Sequence, residues 1–198
     1  MDHYFSIKIK RKHSETGFTL LEIMTVLGII FFMAAMATPV TLSWIPNYRL
    51  KNAALDLFSN FQLARMRAIQ SSREYGIVFH VRAGNYQLVN GGENRKFEAG
   101  DPSSDDVVEK TVALSEYGGG VRYGFGGADK KATVGGGSFH AGDEISYRDD
   151  VAEFNSQGMS NRMGYVYLEN SQKSAYAIST PTLAGVVNIK KWTGRNWQ

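Results

Sequence analysis

Gly17-Phe18-Thr19-Leu20-Leu21-Glu22 opens an apolar run that continues Ile23-Met24-Thr25-Val26-Leu27-Gly28-Ile29-Ile30-Phe31-Phe32-Met33-Ala34-Ala35-Met36-Ala37-Thr38-Pro39, and the reading of this stretch decides the fold. One carboxylate, Glu22, stands inside it. A charge in a membrane-length apolar helix costs roughly 2.5–3.5 kcal/mol at the helix centre, so such a residue marks a function. Residues 18–37 supply about the 20 residues that a bilayer needs. Lys8, Lys10, Arg11 and Lys12 precede them. That basic head predicts a cytoplasmic N-terminus, with everything after about Pro46 outside the membrane.

A conventional secretory signal peptide is the competing reading. Ala35-Met36-Ala37 is an A-x-A triplet, and residues 23–33 have the length of its apolar core, so cleavage would leave Thr38 first. Against it stand Glu22 at the front of that core and a helical pattern that continues past the cut.

Gly17-Phe18-Thr19-Leu20-Leu21-Glu22 followed by an apolar run resembles the prepilin processing site of type IV pilins and type II secretion pseudopilins. The resemblance implies a leader, residues 1–17, removed by a prepilin peptidase between Gly17 and Phe18, with N-methylation of the new Phe18 amine. It implies that Glu22 offers its carboxylate to the Phe18 ammonium of a neighbouring subunit during assembly. A paired charge is tolerated where an isolated one is penalised. Family members often carry proline where Pro39 falls, and here it is expected to kink or locally unwind the helix. The residue-level alternatives are a Glu22 that snorkels to the headgroups and a Pro39 that marks a helix terminus just outside the bilayer.

The net charge of +3 says little about partners, because the leader contributes two of those three charges. The absence of cysteine excludes disulfides, thiol catalysis and cysteine-ligated metal.

After Pro46 the pattern turns amphipathic. Leu50, Ala54, Leu57, Phe61, Ala64 and Ala68 recur at helical spacing, and Phe58 and Ile69 widen the stripe. Lys51, Asp56, Asn60, Arg67 and Gln70 fall elsewhere. This predicts the lower half of one long helix running to about Ser71-Ser72, with Asn47 as the alternative start of a separate helix. The rest is β-rich, with strand candidates at 75–81, 85–89, 107–114, 121–125, 144–148, 152–154, 164–168, 175–179 and 186–192. Turn-rich separators lie at 91–94, 99–106, 126–137 and 155–158. The expected class is α+β: a long N-terminal helix, membrane-spanning then amphipathic, packed on an antiparallel sheet domain of the pilin-like kind. The expected organisation is a leader at 1–17, a transmembrane half-helix at 18–45, an amphipathic half-helix at 46–72 and a β-rich domain at 73–198.

Phe154-Asn155-Ser156-Gln157-Gly158, strand 164–168, Tyr176-Ala177-Ile178, Gly185-Val186-Val187 and Trp192-Thr193-Gly194-Arg195-Asn196-Trp197 are similar to the GspH/FimT type of minor pilin and pseudopilin. That resemblance implies a structural subunit of a filament rooted in the inner membrane, at or near its tip, in a type II secretion system or type IV pilus. Its partners would be other pilins, the peptidase and the membrane assembly platform, with the globular domain periplasmic or otherwise extracytoplasmic.

No catalytic motif is present. Nine glycines lie between Gly118 and Gly137, but without Gly-x-x-x-x-Gly-Lys-Ser/Thr or a helix-opening Gly-x-Gly-x-x-Gly, so the segment reads as a flexible surface loop. Neither His-Glu-x-x-His nor Gly-x-Ser-x-Gly occurs. No enzyme and no cofactor is expected. The carboxylates Asp101, Asp105 and Asp106, and Asp143, Glu144, Asp149 and Asp150, lack the spacing of a calcium loop and read as solvated charge. Lys190, Lys191, Arg195 and Trp197 combine cations with an indole, the general formula for contact with single-stranded nucleic acid. Some FimT-like pilins take up DNA through a Gly-Arg-containing C-terminus, of which Gly194-Arg195 matches here. The alternative for this segment is a final strand with one core tryptophan and solvated basic ends.

Overall fold

The structure, a computed structural model, describes residues 17–98, 101 and 103–198, and between 37 and 43 it describes the backbone alone. The basic head, the leader up to residue 16 and the side chain of Pro39 lie outside the described residues. The chain divides at Thr41/Leu42 into two units.

Helix α1 runs from Leu20 to Ser71. Its start is capped locally: the Thr19 hydroxyl accepts a hydrogen bond from the Glu22 backbone amide at 3.2 Å. Thr-x-x-Glu is the spacing of a capping box, so Glu22 also has an ordinary place in the first turn. Its end is closed by Arg73 N–H donating to Ala68 O at 3.3 Å, with Ser72 at φ +51°. That is the left-handed turn by which helices commonly stop. Asn47 lies within α1 instead of opening a second helix.

In the second unit α1 presents Leu50, Ala53, Ala54, Leu57, Phe61, Ala64 and Ala68 to the core, every one essentially inaccessible to solvent. The stripe expected from the periodicity is there, with two corrections. Ile69 is half exposed, and Asn60, expected outside the stripe, is buried. The Asn60 amide donates to Tyr86 Oη at 2.8 Å, and its carbonyl accepts from Lys110 Nζ at 3.1 Å. Burial without such partners would cost about 1–3 kcal/mol.

Two four-stranded antiparallel sheets complete the unit. The first holds β1 (Tyr75–His80), β2 (Asn85–Asn90), β3 (Val107–Ala113) and β5 (Val151–Phe154), in the order β3-β2-β1-β5. The second holds β4 (Arg122–Tyr123), β6 (Gly164–Glu169), β7 (Ala175–Thr180) and β8 (Asn188–Lys191), in the order β4-β6-β7-β8. Helix residues, Ile77 and Phe79 of the first sheet, and Val166, Leu168 and Ile178 of the second share one core.

Three strand expectations shrink. Residues 121–125 yield only Arg122–Tyr123, and 186–192 only Asn188–Lys191. Residues 144–148 form no strand: Ile145 makes a single bridge to Val166 before a 3-10 turn at Arg148–Asp150. Asp149 and Asp150 stand there at φ +58° and +54°, where a regular strand cannot continue.

The glycine-rich segment is not a free loop. Phe125 and Phe139 stack with centroids 4.1 Å apart, and Phe139 meets Tyr167 edge-on at 5.0 Å. Ala132 is buried and its N–H donates to Tyr167 Oη at 3.0 Å. Val166, Leu168 and Ile178 join the core shared with α1, whereas the alternating neighbours Tyr167 and Ala177 pack with Ala132. The segment therefore supplies a separate small apolar cluster on the outer face of the second sheet.

Candidate functional site

The first candidate is the segment ahead of and inside the upper part of α1. Gly17, Phe18 and Thr19 precede the helix, and all described side chains from Phe18 to Met36 are exposed. The exposure includes Phe18 at 78%, Leu20 at 80% and Phe31 at 77%. A helix apolar all round belongs in a core, a helix bundle or a bilayer. Each Leu, Ile, Phe or Met left in water forgoes about 1.5–3 kcal/mol relative to burial, so this surface requires cover. Among the described residues, no helix is long and apolar enough to cross a membrane. The stretch whose side chains are described stops at Met36, while the apolar sequence continues into residues whose side chains are not.

Among the described residues, which begin at Gly17, a Cβ on Gly17 would meet nothing within 4 Å, and its φ lies outside the left-handed region that favours glycine. Among those residues neither packing nor φ accounts for glycine at this position. No hydrogen bond or ion pair reaches the Glu22 carboxylate among the described residues; only its amide is engaged, by Thr19. Glu22 lines a small apolar groove with Phe18, Ile23, Val26 and Leu27. What the arrangement offers chemically is one uncompensated carboxylate, four residues from Phe18, on an otherwise apolar surface.

The second candidate is the C-terminus, where the four basic or indole residues do not form one surface. In the β7–β8 register Lys190 lies opposite Ala177 and Lys191 opposite Tyr176, so their side chains leave opposite faces of the sheet. Lys190 Nζ donates to Ala132 O at 3.3 Å. Trp197 is half-buried: its indole N–H donates to Lys130 O at 2.6 Å, and its ring stands 5.5 Å from Tyr167 and 5.4 Å from Trp192. Burial pushes the Tyr167 phenol up to about 12. Lys190 and Trp197 share a polar groove with Lys130 and Lys131, whereas Lys191 opens on a different one. Arg195 is exposed in the turn between Thr193 and Asn196. Trp197→Ala is therefore expected to cost about 1–3 kcal/mol of stability. Arg195→Ala should stay within about 0.5 kcal/mol of wild type. Thermal unfolding of the pair checks both.

The acidic loops have local employment. Asp105 accepts from the backbone amides of Glu93 and Asn94 at 2.6 and 2.9 Å. Asp143 accepts from His140 N–H and pairs with Lys131 at 3.0 Å, and the hydrogen bond from Lys131 holds its carboxyl below the usual range. Asp149 pairs with Arg162 at 3.0 Å. Among the described residues no group of three metal-ligating side chains comes together.

The Asn155-Ser156-Gln157-Gly158 turn needs a positive φ at its glycine, and Gly158 stands at φ +74°; what sequence reading missed is its close approach to Gly185. Gly158 and Gly185, from separate stretches of the C-terminal half, meet beneath α1. A Cβ on Gly185 would lie 2.1 Å from Gly158 O, and one on Gly158 would lie 2.5 Å from Ile69 Cδ1. Arg65 Nε donates to Gly158 O at 2.9 Å, and Arg65 Nη2 to Ala184 O at 3.4 Å. The signal was available in the turn chemistry: Asn155 Oδ1 accepts from Gln157 N and Met159 N, each at 3.0 Å, and forces the bend that presents Gly158.

Neither a protein-family profile nor a curated protein sequence matches the chain. Among the solved structures similar to it are a minor pseudopilin and a minor pilin. The minor pseudopilin EpsH from the type 2 secretion system of Vibrio cholerae aligns over 71% of this chain and 95% of its own, at 11% identity and a TM-score of 0.45. The type IV minor pilin FimU of Pseudomonas aeruginosa aligns over 74% of this chain and 95% of its own, at 13% identity and a TM-score of 0.41.

Proposed function

We propose that this chain is a minor pilin or pseudopilin, a structural subunit that is cleaved between Gly17 and Phe18, methylated at Phe18 and assembled through its apolar helix. The observation that carries the reading is the pairing of an apolar helix, exposed at every described side chain from Phe18 to Met36, with one carboxylate that has no partner among the described residues and follows closely behind a glycine that those residues do not require. The leader is removed by a prepilin peptidase. The apolar half of α1 then lies in the cytoplasmic membrane until the assembly platform moves it into a bundle with other pilins, and the sheet domain stays outside the cytoplasm. Within that bundle Glu22 pairs with the Phe18 ammonium of a neighbour, fixing register more than adding net affinity. Pro39 gives the helix its point of adjustment. A position near the filament tip is proposed on the sequence resemblance of residues 154–197 to the GspH/FimT type, and the role is structural, not catalytic.

Intact-mass and N-terminal peptide mass spectrometry on protein purified from membranes of its native host tests the reading. A chain that begins at methylated Phe18 supports it, and one that begins at Thr38 overturns it in favour of an ordinary signal peptide. Glu22→Gln separates processing from assembly. The variant should still start at methylated Phe18, while its recovery in sheared or cross-linked filaments falls by at least about tenfold, or ~1.4 kcal/mol. Unchanged recovery would return Glu22 to the capping-box role that Thr19 offers it.

A further inference from the structure

We infer that a groove between α1 and the second sheet docks on phospholipid headgroups. Trp44, Asn47, Tyr48 and Lys51 of α1 line it with Tyr176 of β7 and Lys191 of β8, all within the second unit. The inference rests on the membrane-anchored reading above.

Trp44 and Tyr48 are one helical turn apart and among the most exposed aromatics of this unit, at 73% and 67%. Lys51 follows Tyr48 by three residues and shares its side of the helix. Among the described residues, neither Lys51 nor Lys191 has a side-chain hydrogen bond or ion pair, and the groove lining contains no carboxylate. Two unpaired ammoniums beside an indole and a phenol complement an anionic phosphate layer with apolar chains beneath it. Tryptophan and tyrosine prefer this interface, and lysines close to an anionic lipid surface are attracted to it.

Position along the chain favours the same occupant. About 20 helical residues cross the ~30 Å hydrocarbon layer, so a span that opens at Leu20 ends a few residues before Trp44. The groove is also held rigid. Asn47 Oδ1 accepts from Asn170 Nδ2 at 2.9 Å and Ser174 Oγ at 2.7 Å, and Asn47 Nδ2 donates to Gln172 Oε1 at 2.9 Å. These bonds tie this turn of α1 to the β6–β7 turn. The sheet residue Lys191 is thereby kept beside the helix, and both lysines meet the headgroups together.

The test uses the full processed chain in vesicles of phosphatidylcholine, with and without phosphatidylglycerol, each containing a lipid that carries a nitroxide at its headgroup. Trp192 is buried and Trp197 half-buried, so Trp44 is the indole most open to quenching, and Trp44→Phe supplies the baseline. The expected result is quenching at least roughly twofold above that baseline, stronger with phosphatidylglycerol. In the double variant Lys51→Gln, Lys191→Gln it should fall to the phosphatidylcholine level. A chain that floats with the vesicles but shows only baseline quenching overturns this inference and leaves the anchor intact. Quenching that ignores both lysines overturns the headgroup site. Shielding of Trp44 that appears only as more copies are added, without lipid quenching, assigns the groove to a neighbouring subunit and overturns it too. A chain that does not float removes the anchor and the inference together.

Discussion

Phe61→Ala is expected to lower the unfolding free energy of residues 42–198 by about 3–5 kcal/mol, a large fraction of what a domain of this size holds in reserve. Phe61 has no solvent exposure. Its ring lies 6.1 Å from Phe79 of β1, 6.1 Å from Tyr147 and 6.2 Å, edge-on, from Phe154 of β5. Truncation removes the helix's largest contribution to that cluster and leaves a cavity that two sheets and a helix cannot all close at once. Each partner is itself held: Tyr147 Oη, for example, accepts from Thr180 N–H at 2.9 Å. Urea unfolding followed by far-ultraviolet circular dichroism measures the loss. Phe61→Leu, which keeps most of the volume, should recover the greater part of it. A loss below about 1 kcal/mol for alanine would mean that the helix does not form the centre of this core.

Gly185→Ala should cost at least about 2–4 kcal/mol, although it adds a single methyl group. Gly185 stands at φ +70°, and its Cβ would fall 2.1 Å from the Gly158 carbonyl oxygen. The obstacle is backbone, so no side-chain rotation relieves it. Moving Gly158 in turn presses it onto Ile69 and disturbs the carbonyl that Arg65 holds. Gly194→Ala is the control: its φ is +90°, but a Cβ would meet nothing within 4 Å, so it bears only the conformational cost of about 1 kcal/mol. Equal losses at the two positions would show that backbone conformation, not the close approach of the two turns, accounts for the effect.

The parts of this fold that were legible in sequence are those with a strong period. Leu50, Leu57, Phe61 and Ala64 mark a buried helical stripe, because apolar residues keep a 3.6-residue repeat over this length only where one helix face is packed. Period two was less reliable. Ile145 and Tyr147 alternate as a strand should and both are buried, yet the chain turns at Asp149 before a ladder forms. The same period, applied to β8, separates Lys190 from Lys191, which composition alone had grouped. Glycine content concealed the covering segment, because its packing depends on Phe125 and Phe139, residues within it and just beyond its end that meet only in three dimensions. Asn60 carried no local signal; its partners Tyr86 and Lys110 come from strands that the helix meets after folding. At the candidate site the motif around Gly17 and Glu22 was legible as spacing, and the exposure of that helix added the physical demand for cover.

The strand rims bear on how copies of this chain can join. Beyond β5 the chain folds back, and Asn161 N–H donates to Glu153 O at 3.0 Å. Beyond β8 the last residue returns, with Gln198 N–H donating to Lys191 O at 3.0 Å. β4 is only two residues long, and the open rim of β3 carries Glu109 and Lys110. Short, covered or charged borders of this kind resist zippering between molecules, the route by which concentrated β proteins pass into amyloid. In a filament of the kind proposed above, sheets with such rims would stay out of the subunit contacts and leave them to the helix, where contacts can be made and undone without rebuilding a hydrogen-bonded ladder.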